Sequence, residues 1–184
     1  MQQKSKLRKK YLKIRKENYF EIDKKFFFPL LKLIKKNIKK KSIIIALYYP
    51  SNFELNVLKV LELKYFLHQT ILLPVVEKNN LMNFYQWKKN DVLTINEFGM
   101  LEPIKAEAKT PDIIIVPLLA FDKDKYRLGY GKGYYDRYLN KYIKQYKKDT
   151  ITVGVAFSFQ KHNKLPINKN DVKMDFVLTE KGIC

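Results

Sequence analysis

The chain is poor in the residues that carry several common chemistries. Its single cysteine, Cys184, closes a sequence of 184 residues. No disulfide can form within one chain, which fits a reducing cytoplasm. The two histidines, His68 and His162, lie far apart with no cysteine nearby, which argues against a zinc site. No G-x-S-x-G occurs, so a nucleophile elbow is unsupported. Apolar clusters such as Phe26-Phe27-Phe28-Pro29-Leu30-Leu31 fall far short of a membrane span. The lysines after that cluster are compatible with a helix on a membrane surface, but a core-facing amphipathic helix is the commoner cause. The basic N-terminus runs into a polar helix, so no secretory signal is expected. Acidic residues are few: 18, against 37 lysines and arginines, for a formal net charge of +19. Nucleic-acid binding, anionic small substrates and a coding bias toward lysine, isoleucine and asparagine each give such an excess. The lysines are spread along the whole chain, as bias would leave them. Whatever its origin, the charge raises encounter rates with polyanions.

Hydrophobic residues make up 46% of the chain, enough for a core, and the length suits one domain across residues 1–184. A basic helix is predicted from Lys4 to about Asn18, with Leu7, Tyr11 and Ile14 on one stripe. A second runs from Asp23 to Lys40, where Pro29 marks a kink or break. Phe53 to Leu67 and Lys132 to Tyr146 read as further helices. Ser42–Tyr48, Thr70–Val75 and Asp112–Pro117 are continuous apolar runs, the pattern of strands buried on both faces. Met82–Trp87, Ile151–Ala156 and Phe176–Thr179 complete the strands. The alternation predicts an α/β fold, a three-layer αβα arrangement with a mostly parallel, Rossmann-like central sheet. Ligands in such folds bind outside the carboxyl ends of the strands.

One segment stands where such a ligand would sit: Arg127-Leu128-Gly129-Tyr130-Gly131-Lys132-Gly133-Tyr134-Tyr135-Asp136-Arg137. Alternating glycines let backbone N–H groups approach a ligand and cradle phosphates. Lys132 adds a point charge, and Asp136 could hold a metal or orient a donor. A tight surface turn before a helix is the plain alternative. The spacing is neither a Walker A motif nor a dinucleotide fingerprint. Lys4 and Arg8, at i and i+4, share a helix face and could reach one phosphate chain, although a solvated basic face is the default. Glu54, after the Tyr49-Pro50 turn, could bind the amide-like face of a heterocycle or simply favour a helix N-terminus. Met82, Phe84 and Trp87 could pave a slot for a flat ring or pack in the core. Asp136 and Asp175 could converge on magnesium, which takes a few carboxylates alongside phosphates and water.

Residues Arg127 to Arg137 resemble the glycine-loop motif of the 5-formyltetrahydrofolate cyclo-ligase family, also called 5,10-methenyltetrahydrofolate synthetases. The rest of the chain follows the family in order. Lys4-x-x-Leu7-Arg8 and Arg15 fit its opening helix, and Tyr49-Pro50 with Glu54 its substrate segment. Leu73-Pro74-Val75-Val76, Met82-x-Phe84 and Phe98-Gly99-x-x-Glu102-Pro103 fit its middle. Val116-Pro117, Ala120-Phe121-Asp122, Gly154–Phe157, Leu165-Pro166, Asp171 and Val172–Asp175 complete the resemblance. Two positions depart from it. Leu55-Asn56-Val57 lacks the hydroxyl that usually supports the turn after Glu54, and Tyr130 stands where relatives often differ.

The resemblance implies an ATP- and Mg2+-dependent closure of 5-formyltetrahydrofolate to 5,10-methenyltetrahydrofolate. Lys132 and Arg127 would be catalytic. Lys4, Arg8 and residues Arg127 to Tyr135, that is Leu128, Gly129, Tyr130, Gly131, Lys132, Gly133 and Tyr134 among them, would bind ATP. Tyr49, Glu54, Met82, Phe84, Trp87 and Tyr130 to Tyr134 would hold the folate, and Asp136 and Asp175 the metal. A monomer is expected, with no membrane and no specific nucleic-acid partner. The competing class is a basic nucleic-acid-binding protein, whose 13 tyrosines would stack on bases. Against it, the aromatics sit in apolar runs rather than interleaved with lysines.

Overall fold

A computed structural model describes residues 2–145 and 149–184. Its centre is a seven-stranded sheet in the order β11-β10-β9-β6-β1-β2-β3. The strands are β1 (Ile44–Ala46), β2 (Thr70–Val76), β3 (Met82–Gln86), β6 (Ile113–Val116), β9 (Ile151–Val155), β10 (Phe176–Thr179) and β11 (Gly182–Ile183). The inner neighbours from β10 to β2 are all parallel, while β3 and β11 close the edges antiparallel. The mostly parallel α/β sheet expected from the apolar runs is therefore present. Two hairpins stand outside it: β4 (Leu93–Ile95) with β5 (Leu101–Pro103), and β7 (Ala120–Phe121) with β8 (Arg127–Leu128).

Alternate residues of the buried strands enter different cores, because successive side chains point to opposite faces. Ile45, Leu47, Ile113 and Ile115 pack on one side with α2 (Phe28–Asn37) and Val57, Val60 and Phe66. Ala46, Ile114 and Val116 pack on the other with Tyr138 and Leu139 of α3 (Tyr134–Leu139). These are the three layers. Helix α1 (Gln2–Glu17) lies against the β7–β8 hairpin through Tyr11, Leu119, Ala120 and Leu128. Gly154, in β9, leaves no room between the second core and the sheet: a Cβ there would stand 2.5 Å from Met174 Sδ and 2.8 Å from Leu118 Cδ2. Gly154→Ala is expected to destabilise the protein by about 1–3 kcal/mol, read as a lower denaturant midpoint.

Three predicted helices take other forms. The segment from Asp23 to Lys40 begins as a 3-10 turn, Lys24–Phe27, capped by Asp23, whose carboxylate accepts the Lys25 N–H at 2.8 Å. Helix α2 starts afresh at Phe28 with Pro29 in its first turn, where a missing N–H costs nothing. Phe53 to Leu67 is not an α-helix but two 3-10 segments, Val57–Glu62 and Lys64–His68. Across the two 3-10 segments the buried side chains are Val57, Val60, Leu63 and Phe66, a spacing of three, which suits 3-10 winding. The helix predicted from Lys132 opens at Tyr134 and passes into a π-helical stretch, Asn140–Gln145. Its predicted end, Tyr146, lies outside the described residues. Among the described residues no helix is long and apolar enough to cross a membrane.

The strand order reverses at β1: the chain proceeds outward to β2 and β3, then returns to place β6 on β1's other side. The segments leaving the carboxyl ends of β1 and β6 start from this switch point, the usual ligand position in open α/β sheets.

Candidate active site

Both sides of the candidate site come from those two segments. After β6 the chain forms the β7–β8 hairpin. Buried Asp122 holds its tip: Oδ1 accepts the N–H groups of Asp124 at 3.1 Å and Tyr126 at 3.0 Å, and Oδ2 that of Leu165 at 3.1 Å. The hairpin delivers Arg127 and Leu128 to the start of the glycine loop. Leu128 is a core residue under α1, and its carbonyl accepts the Leu119 N–H at 2.8 Å. Gly131 (φ +106°) and Gly133 (φ +73°) occupy left-handed conformations, and Gly133 is the N-cap of α3. Arg8, from α1, lies under the loop. Its Nε donates to Gly129 O at 2.9 Å, and a Cβ on Gly131 would stand 3.1 Å from its Cζ. Gly131→Ala is therefore expected to cost about 1–3 kcal/mol of stability through the strained φ, measured by denaturant titration.

After β1, Tyr48 donates its hydroxyl to Leu55 O at 3.0 Å and the chain turns through Ser51–Glu54. Glu54 N–H closes the turn on Ser51 O at 2.8 Å. Asn52 (φ +48°) and Phe53 (φ +61°) are both left-handed, a strained state for residues with a Cβ. Glu54 is buried, and its Oε2 accepts from the Ser51 N–H at 2.9 Å and hydroxyl at 3.3 Å. Its Oε1 accepts the Tyr130 hydroxyl from the glycine loop. Burial pushes the Glu54 pKa up, opposed by Tyr130, Ser51 and Arg15. Burial and the Glu54 charge push Tyr130 well up. The hydroxyl missing after Glu54 has local substitutes: Ser51 holds the carboxylate, and Asn56 Oδ1 accepts the Leu58 N–H at 3.2 Å, capping the next turn.

The other predicted residues divide. Lys4 pairs with Asp171 at 2.5 Å, on the helix face that carries Arg8. Lys132 is exposed, its ammonium 5.0 Å from the ring centroid of Phe98 in the β4–β5 hairpin. Tyr134 and Tyr135 have buried hydroxyls without a hydrogen-bond partner among the described residues, as does Arg15 Nε. Arg127, expected at the phosphates, is buried instead: Nη2 pairs with Asp136 Oδ1 at 2.7 Å and Nη1 donates to Val172 O at 3.1 Å. Burial lowers its pKa, and Asp136 opposes the shift.

The two predicted metal ligands are not brought together. Asp136 Oδ1 is held by Arg127 and by the Val172 N–H at 3.2 Å, and its Oδ2 takes no hydrogen bond among the described residues. Asp175 precedes β10, at the amino end of that strand. Its Oδ2 accepts the Thr152 N–H and hydroxyl, each at 2.7 Å. Parallel strands put that end of the sheet opposite the carboxyl ends from which the glycine loop and the Glu54 turn depart. Among the described residues no three His, Cys, Asp or Glu side chains gather as a metal site.

The apolar slot is divided as well. Met82 and Phe84 face the α3 side, where Phe84 packs edge-on to Tyr138 at 4.8 Å. Trp87 enters the opposite core and, with Tyr49, Leu58, Leu61, Lys89 and Leu93, lines a cleft of about 340 Å³. Strand alternation decides this: 82 and 84 share a parity that 87 lacks.

Such an arrangement defines an α/β fold with a glycine loop set against a buried carboxylate. The profile of the 5-formyltetrahydrofolate cyclo-ligase family matches residues 1–180, and the chain belongs to that family. Among solved structures it is similar to the 5,10-methenyltetrahydrofolate synthetase of Aquifex aeolicus, at 35% identity and a TM-score of 0.74, covering 98% of this chain and 91% of that one. It is also similar to the 5,10-methenyltetrahydrofolate synthetase of Mycoplasma pneumoniae, at 28% identity and a TM-score of 0.68, covering 95% and 97%. A probable 5-formyltetrahydrofolate cyclo-ligase of Schizosaccharomyces pombe is 29% identical over 129 residues, 62% of this chain and less than two thirds, 63%, of that protein.

Proposed function

We propose that the protein uses ATP to close 5-formyltetrahydrofolate to 5,10-methenyltetrahydrofolate, releasing ADP and phosphate. One observation carries this reading: the hydrogen bond between Tyr130 of the glycine loop and Glu54 of the turn after β1. It joins the glycine loop to the turn that carries Glu54, which supports a reading with phosphates on the one and the heterocycle on the other. Family membership supplies the substrate class.

The formyl oxygen attacks the γ-phosphorus, the bond to ADP breaks, and the formyl carbon gains a phosphate leaving group. N10 then attacks that carbon, its proton is lost, and the C–O bond to phosphate breaks. Phosphoryl transfer asks for positioning and charge neutralisation more than covalent help. Lys132, Arg8 and Lys4 supply cations, the last after exchanging Asp171 for phosphate, and the loop's N–H groups align the transfer. Buried Arg127 acts at one remove, holding Asp136 and the root of the loop. Glu54, held by Tyr130 and Ser51, keeps carboxylate lone pairs free to accept the donors of the pterin ring. The unpartnered hydroxyls of Tyr134 and Tyr135 are suited to the ligands, since buried polar atoms are rarely left unpaired. Magnesium would neutralise the phosphates. Asp136 Oδ2 fits it as one carboxylate beside phosphate and water, and Asp175 does not. The near-ultraviolet band of the methenyl product, growing only when 5-formyltetrahydrofolate and Mg-ATP are both present, tests the reading. A flat trace from folded protein would refute it.

A further inference from the structure

Arg15 is the least exposed charged side chain among the described residues, at 1%, and it forms no ion pair among them. A buried guanidinium with no carboxylate at ion-pair distance is poor material for stability, since an apolar side chain of similar volume packs at lower cost. Its fork instead joins three segments. Nη1 donates to Leu118 O at 3.3 Å, just past β6, and to the Tyr130 hydroxyl at 2.8 Å in the glycine loop. Nη2 donates to Asn52 O at 2.7 Å in the turn after β1. The guanidinium also lies 5.6 Å from the centroid of the Tyr130 ring. The Tyr130 hydroxyl, accepting from Arg15, donates to Glu54. Asn52, whose carbonyl Arg15 holds, is the first of the two left-handed residues that aim Glu54.

We infer that Arg15 is a positioning residue for the folate-side carboxylate, holding Glu54 through Tyr130 and the Ser51–Glu54 turn in register with the glycine loop. It reaches one substrate's site through the other's loop, so it links the seating of the two. The inference rests on the folate turnover proposed above. A lysine would keep the charge but not the planar fork that serves three acceptors.

The test compares kcat and KM for each substrate in the unsubstituted protein, Arg15→Lys, Tyr130→Phe and the double variant, with a denaturant midpoint for each. Arg15→Lys is expected to lower kcat/KM for the folate by about tenfold or more, the size of a lost charge-assisted hydrogen bond. KM for ATP should change less. The losses in the two single variants should not add in the double variant, because both break one chain of contacts. A folded Arg15→Lys protein with unchanged folate constants would overturn the inference, as would full additivity. A lower midpoint with unchanged KM would mark a purely structural role. Should Arg15→Lys fail to fold, Tyr130→Phe decides, and an unchanged folate KM there is equally fatal. Absence of turnover in the unsubstituted protein would overturn the proposed function and this inference together. Turnover there with unaffected variants overturns the inference alone.

Discussion

Lys132→Ala is expected to lower kcat by about 100-fold or more, the loss typical of removing one preorganised charge-stabilising donor. Folding should be nearly unaffected. The side chain is exposed and forms no ion pair among the described residues, and surface changes away from buried features usually matter little. Its backbone is what is fixed: the flanking glycines are left-handed, and the Lys132 carbonyl accepts from Arg137 Nη2 at 2.9 Å. The ammonium rests on the face of Phe98, a weak cation–π hold at an exposed site that a phosphate can outcompete. Steady-state kinetics on folded Lys132→Ala checks this. Turnover within a few-fold of the unsubstituted protein would remove the loop lysine from the mechanism.

Glu54→Gln is expected to lower kcat/KM for the folate by about 10–100-fold, since an ionised acceptor is exchanged for a neutral one in a buried site. The change has a pH signature. Burial raises the Glu54 pKa, so the acidic limb of kcat/KM for the folate should lie above the ordinary glutamate range, and Glu54→Gln should abolish that limb. Stability should respond in the opposite sense. The folded protein keeps the Glu54 proton to higher pH than the unfolded chain does. This contribution is therefore fully present below the ordinary glutamate pKa and is lost as pH rises through the raised value. Above it, Glu54→Gln should equal or exceed the unsubstituted protein in denaturant midpoint while failing in activity. A variant that is inactive because it is unstable would contradict this assignment.

The strands were legible because buried parallel strands read as plain apolar runs, and Phe176–Thr179 matches β10 at both ends. The segment after Glu54 misled because residues three apart share an α-helix face over a single turn, and the drift shows only over several. The short hairpins carried no alternation long enough to notice. The glycine loop and Glu54 were recognisable from residue types and from family resemblance. Which side each residue faces was less legible. Parity along β3 could have separated Trp87 from Met82 and Phe84. Position at the amino end of a parallel strand could have separated Asp175 from Asp136. Arg15 fitted the family's opening helix but carried no assigned role, although 4, 8, 11 and 15 form a single helical stripe. Two of its three acceptors, Leu118 O and Asn52 O, are backbone atoms with no trace in residue identity.

The most direct test of the central claim follows an atom. With 18O in the formyl oxygen of 5-formyltetrahydrofolate and unlabelled Mg-ATP, single-turnover reaction products are analysed by mass spectrometry. Attack of that oxygen on the γ-phosphorus predicts one 18O in each phosphate released, matched to methenyl product and ADP. Methenyl product forming with unlabelled phosphate, or without ATP consumption, would contradict it.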